Sequence, residues 1–139
     1  MDTHERDGMR QKKKNDLLIE VELEFMNELW ALGEGTVRDV LDQLPEERNL
    51  AYTSAATILR ILEQKDFVIS KKEGKRHIFK PTLAKDAYQT RTLKDLSMKL
   101  FDDTPASLVA RLVDDADLSE EALGQIRALV DRRLKNDTG

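Results

Sequence analysis

Thr53, Ser54, Thr57, Arg60 and Gln64 recur at steps that place them on one side of a helix, while Ala55, Ile58, Leu59 and Leu62 form an apolar stripe on the other. Hydroxyls, a guanidinium and an amide are the groups that hydrogen-bond phosphate oxygens and base edges in a DNA groove. The only acid on this stretch, Glu63, comes near its far end. The spacing therefore points to recognition chemistry rather than bond-making, and residues 51–65 read as a recognition helix.

A second cluster follows at once. Lys71, Lys72, Lys75 and Arg76 surround Gly74, where the period of the sequence has changed from 3.6 to 2. Residues 67–71 are rich in β-formers, residues 76–80 alternate, and the pattern stops at Pro81. This reads as a β-hairpin, with its cations able to reach phosphates. Residues 51–81 carry seven Lys/Arg and three acids, a balance of +4. The whole chain is at -4, so the remainder holds -8. A local basic patch on an acidic protein can still grip phosphate.

Two elements must aim the recognition helix. Residues 20–32 show Val21, Phe25, Leu29 and Leu32 on one face, and Glu20, Glu22, Glu24 and Glu28 on an acidic outer face expected to point away from DNA. Trp30 belongs with the apolar face and reads as core, and Gly33 suits the position after the helix. Thr36 then caps residues 37–44, with Asp39 at the third helical position and Val37, Val40, Leu41 and Leu44 facing inward. Two short helices joined by a polar turn, followed by a hairpin, make a winged helix-turn-helix over residues 17–81. Residues 1–16, with Lys12, Lys13 and Lys14, read as a solvated tail or a basic arm on the DNA backbone.

Beyond Pro81, residues 82–139 carry three more helical patterns. Leu93, Leu96, Leu100 and Phe101 mark the first. Thr104-Pro105 opens the second, with Leu108, Val109, Leu112 and Val113 on one face. Ser119 caps the third, with Leu118 and Leu123 as a staple and Ile126, Leu129, Val130 and Leu134 continuing its stripe. Such faces pack either on the N-terminal domain or on a partner chain. Dimerisation is favoured, because palindromic sites require it. The dimer face expected on this ground comprises Leu96, Leu100, Leu108, Leu112, Leu123, Ile126, Leu129 and Val130.

Several function classes fall away. With no cysteine the chain has no disulfide and no thiolate metal site. His4 and His77 are the only histidines, no second His or carboxylate sits at a ligand spacing from His77, and neither metal nor cofactor is expected. No serine elbow, phosphate loop or convergent acid–base cluster supports an enzyme. The charged N-terminus is not a secretory signal and no run spans a bilayer, which fits a cytoplasmic location without membrane insertion.

The order of elements and four stretches resemble the BlaI/MecI/CopY family of bacterial repressors: ELEFMNELWALGEGTVRDVLDQL, AYTSAATILRILEQKDFV, KKEGKRHIFKP and KLFDDTPASLVARLVDDADLSEEALGQIRALV. The resemblance implies a mainly α fold with a small hairpin, a winged helix-turn-helix followed by a helical dimerisation domain. It implies a homodimer on a dyad operator in double-stranded DNA, repressing its genes until a signal arrives. It places Tyr52, Thr53, Ser54, Thr57 and Arg60 where the recognition helix meets DNA. In some members a membrane sensor protease leads to cleavage of the C-terminal domain; in others a Cys-x-Cys pair binds metal. This chain lacks cysteine, carries Thr104-Pro105 at the cleaved segment, and has Asp66 and Ile61 where glycine and a second basic residue are frequent. The competing expectation, from the net charge and acidic first helix, is a winged-helix protein-interaction module that does not bind DNA.

Overall fold

Helix α1 (Glu20–Leu32) starts where the Glu22 carboxylate turns back to accept the Ile19 N–H at 3.1 Å. It stops at Gly33, whose φ of 87° suits a residue without Cβ. Helix α2 (Val37–Gln43) opens with a reciprocal capping box. The Asp39 N–H donates to Thr36 Oγ1 at 3.1 Å, and the Thr36 N–H donates to Asp39 Oδ2 at 2.9 Å. A single 3-10 turn (Glu46–Arg48) closes on Asn49 in the left-handed region and leads to α3 (Tyr52–Gln64). The computed structural model describes residues 18–138. The expected tail at residues 1–16 and His4 lie outside the described residues.

Helix α3 ends in a Schellman motif. The Phe67 N–H donates to the Leu62 carbonyl at 2.9 Å and the Asp66 N–H to the Glu63 carbonyl at 3.0 Å. Asp66 takes the left-handed conformation, φ 66°, which aspartate tolerates better than most side chains. Leu62 and Phe67, the apolar pair that accompanies this motif, are both buried.

Strands β1 (Val68–Glu73) and β2 (Arg76–Pro81) pair antiparallel from Val68↔Pro81 to Glu73↔Arg76. The two-residue loop Gly74-Lys75 has φ 65° at its first position, as a type II′ turn needs. The sheet gains a third contributor that has no signal in the sequence. Gly35 and Phe79 exchange N–H···O bonds of 3.0 and 2.8 Å, tying the α1–α2 loop to β2.

The chain divides into two compact units, residues 1–90 and 91–139. Within the described part of the first, Phe25, Met26, Leu29, Val40, Ala55, Leu59 and Leu62 are fully buried, and Phe67 and the hairpin residues Val68 and Phe79 are buried with them. Trp30 is part of this packing. Its Nε1–H donates to the Leu83 carbonyl at 3.0 Å and its ring lies 5.7 Å from that of Tyr88. Tyr88 also meets Phe67 edge-on and accepts the Leu18 N–H at 2.9 Å. It sits on α4 (Lys85–Leu100), and the division between the two compact units, after Thr90, falls within this helix.

One expectation is corrected. Glu22 does not belong to an exposed acidic face: it is 3% exposed, and both its oxygens accept from Lys65 Nζ, at 2.9 and 2.8 Å. Burying a carboxylate demands a charged partner, and the C-terminal end of α3 supplies one from 43 residues away. Glu24 is likewise engaged, by the Arg48 guanidinium.

In the second unit α4 gives way to α5 (Pro105–Val113) and α6 (Glu120–Thr138). Asp102 and Asp103 make the first turn, both left-handed at φ 51° and 57°. Pro105 occupies the first turn of α5 as expected, but the Thr104 hydroxyl makes no cap; it donates to the Asp102 carbonyl at 3.4 Å. Ser119 does cap α6, accepting the Ala122 N–H at 3.0 Å.

Candidate nucleic-acid interface

The outer face of α3 is built by default. Once Ala55, Leu59 and Leu62 enter the core, Thr53, Ser54, Thr57, Arg60 and Gln64 are left on the open side of the helix. Nothing acidic stands in the first turn of α3 and no side chain caps it, so its leading N–H groups and helix dipole present positive character at that end. The Thr57 hydroxyl is partly committed. It donates to the Thr53 carbonyl at 3.0 Å, which leaves its lone pairs to accept and its methyl to pack.

A cleft between α2, α3 and the hairpin gathers Arg38, Tyr52, Arg60, Lys75, Arg76 and His77 along its walls. Of the residues expected on the wing, Lys75 and Arg76 reach this cleft and Lys71 and Lys72 do not line it. The hairpin register accounts for Lys71 but not for Lys72, which lies on the same face as the cleft residues His77 and Phe79. Val68, Ser70 and Lys72 share one face with Phe79 and His77, and Lys71 pairs with Ile78 on the other. Ser70 faces α3, donating to Glu63 Oε2 at 2.5 Å. The four expected wing cations are therefore exposed but split between two faces.

Lys65 leaves the basic patch altogether, being held by Glu22. Two acids border the cleft. Glu63 is one of its lining residues, bonded to Ser70. Asp39 has its carboxyl held below the usual carboxylate range, first by hydrogen bonding to the Thr36 backbone, then to its side chain, with the Arg76 charge adding to this.

Arg38 is a cleft residue that the helical pattern alone does not single out. Its guanidinium carbon lies over the Tyr52 ring, 5.4 Å from the centroid. A cation in the first turn of α2 sits against the helix dipole, and that misplacement is the signal the sequence offers. His77 lies exposed on β2, and among the described residues no cluster of His, Cys, Asp and Glu could hold a metal. No helix among them is long and apolar enough to cross a membrane.

The second unit presents the other set. Leu96, Leu100, Leu112, Leu129 and Val130 are exposed, while Leu108, Leu123 and Ile126 are half-buried.

Comparison with known proteins bears on the whole arrangement. The penicillinase repressor family model matches residues 18–132. The transcriptional regulator BlaI of Mycobacterium tuberculosis is 30% identical over 120 residues, spanning 80% of this chain and 86% of that protein. The methicillin resistance regulatory protein MecI of Staphylococcus aureus is 21% identical over 112 residues, spanning 81% and 91%. A solved CopR repressor structure shares 28% identity, with a TM-score of 0.43, over 49% of this chain and 99% of that one. The chain belongs to the penicillinase repressor family, whose members are transcriptional regulators and not enzymes.

Proposed function

We propose that this protein is a homodimeric transcriptional repressor acting in the cytoplasm. Helix α3 enters the major groove of a dyad operator, with Thr53, Ser54, Thr57 and Arg60 toward the bases and Tyr52 at its entry. Lys71, Lys72, Lys75 and Arg76 contact the backbone from the hairpin. The single observation that carries this reading is the hydroxyl and arginine face of α3, beside a cleft walled by further cations.

The dimer is assigned to residues 91–138. Their apolar positions form no fully buried core of their own, and α5 and α6 share no extensive packing with each other. A second copy supplying the missing cover fits both facts. Release from the operator follows a signal acting on this unit. A sensor protease pathway is one such signal, with cutting displaced from Thr104–Pro105, where proline removes the N–H and locks φ.

The test is sedimentation of the full chain, alone and with a duplex from its own promoter, at low and moderate salt. The expected result is a dimer that binds with Kd of roughly 10⁻⁸ to 10⁻¹¹ M and weakens steeply with salt. Arg60→Ala should cost about 1–3 kcal/mol of operator affinity. A monomer that ignores the duplex would replace this reading with the protein-interaction module.

A further inference from the structure

The Arg38–Tyr52 pair joins the first turns of the two helices of the helix-turn-helix, and neither residue is used by the core. Arg38 is exposed and Tyr52 is 51% exposed, so their stacking is not a by-product of burial. Among the described residues, three other cations of this unit have acidic company, while Arg60 and Lys75 in the cleft show no carboxylate partner. Lys65 is held by Glu22, Arg48 by Glu24, and Arg76 stands close enough to Asp39 to lower its pKa. Arg38 is paired with no carboxylate there; it has the ring instead.

A ring beneath a guanidinium has a particular effect. It covers one side of the group while the N–H donors at the guanidinium edge stay available. Those donors are the ones that match a phosphate bidentately. The ring also restricts a long side chain before any ligand arrives, which reduces the entropy cost of binding. Arg38 and Tyr52 line the same cleft as Arg60 and Arg76, so an anion here would relieve the crowding of like charges.

We propose that Arg38 grips a backbone phosphate of the bound duplex, and that Tyr52 is a positioning residue that holds the Arg38 guanidinium edge-outward rather than a reader of a base. This rests on the DNA-binding reading above and adds to it a residue outside the recognition helix and the wing.

The test is a salt series of binding titrations with two duplexes, one from the protein's own promoter and one of random sequence. Arg38→Ala should weaken both by a similar factor of about ten. It should also reduce the slope of log K against log salt by about 0.9, the change expected when one fewer phosphate is neutralised. Arg38→Lys, which keeps the charge but not the planar fork, should recover part of the affinity. Tyr52→Leu should weaken binding in the wild-type background and have little further effect in Arg38→Ala, and Tyr52→Phe should cost less than Tyr52→Leu. Wild-type protein that binds neither duplex would overturn the DNA-binding reading and this inference with it. Wild-type binding combined with an unchanged Arg38→Ala, in affinity and slope, would overturn the inference alone. So would a weakening confined to one duplex, a Phe variant as impaired as the Leu variant, or additive effects of the two sites.

Discussion

Residues 18–90 and 91–138 carry apolar stripes of similar kind and use them differently. In the first stretch Phe25, Leu29, Leu59 and Leu62 reach zero exposure because three helices and a hairpin close over one another. In the second, Leu112 and Leu129 remain 54% and 52% exposed, and among its described residues no hydrophobic side chain is fully buried. The contrast teaches that helical periodicity reports a face that needs covering, not what covers it. Where the cover is in the same chain, the fold closes; where it is absent, the stripe stays exposed, and the dimer proposed above would cover it.

Four experiments would sharpen or break this comparison. Placing two charges on the exposed stripe, Leu112→Asp with Leu129→Asp, should have the largest effect on assembly. Burying unpaired carboxylates in an apolar interface costs several kcal/mol, so the chain should sediment as a monomer while amide-exchange protection in residues 18–90 persists. A variant that stays dimeric would remove the distinction between the two stretches. Phe25→Ala acts on the closed core and should cost about 3–5 kcal/mol by chemical denaturation, with reduced protection in the first unit.

Glu22→Gln strands the Lys65 ammonium, which is only 21% exposed in its side chain, and should cost about 2 kcal/mol. Adding Lys65→Met should recover part of this, since a well-packed apolar pair can replace a buried ionic one. Full additivity of the two changes would argue against the pair. The smallest effect belongs to the α2 cap. Thr36→Ala should cost about 1 kcal/mol at neutral pH. Because the Asp39 pKa is lowered in the folded state, its contribution is present above the unfolded carboxylate value of about 3.9 and is lost as pH falls through the folded one. The stability gap between wild type and Thr36→Ala should therefore narrow below about pH 4. A gap that stays constant would separate Asp39 from the cap.

What was legible in the sequence was local. Stripes at helical spacing marked the helices, Thr36 with Asp39 marked a start, Gly33 a stop, and Gly74 the hairpin loop, because each signal and its effect lie within a few residues. The misses were long-range. Glu22 falls on the polar side of α1 by period alone, and only the approach of Lys65 makes it a buried residue. The Gly35–Phe79 bridge joins distant parts of the chain with no side-chain signal at glycine. In the interface, the α3 face was legible because it is what the apolar stripe leaves over. The split of the wing cations depends on strand register, and the place of Arg38 depends on where the helix-turn-helix folds back.

The Trp30–Tyr88 pair has an optical consequence. The chain has one tryptophan and two tyrosines. With its ring centroid 5.7 Å from that of the indole, Tyr88 should pass its excitation to Trp30 and contribute little emission of its own. Indole emission then reports only the interior of the first unit, and residual tyrosine emission comes from Tyr52, under the Arg38 guanidinium. Indole emission would thus follow folding of the first unit, and tyrosine emission would follow Tyr52 when the DNA proposed above is added, without any added label.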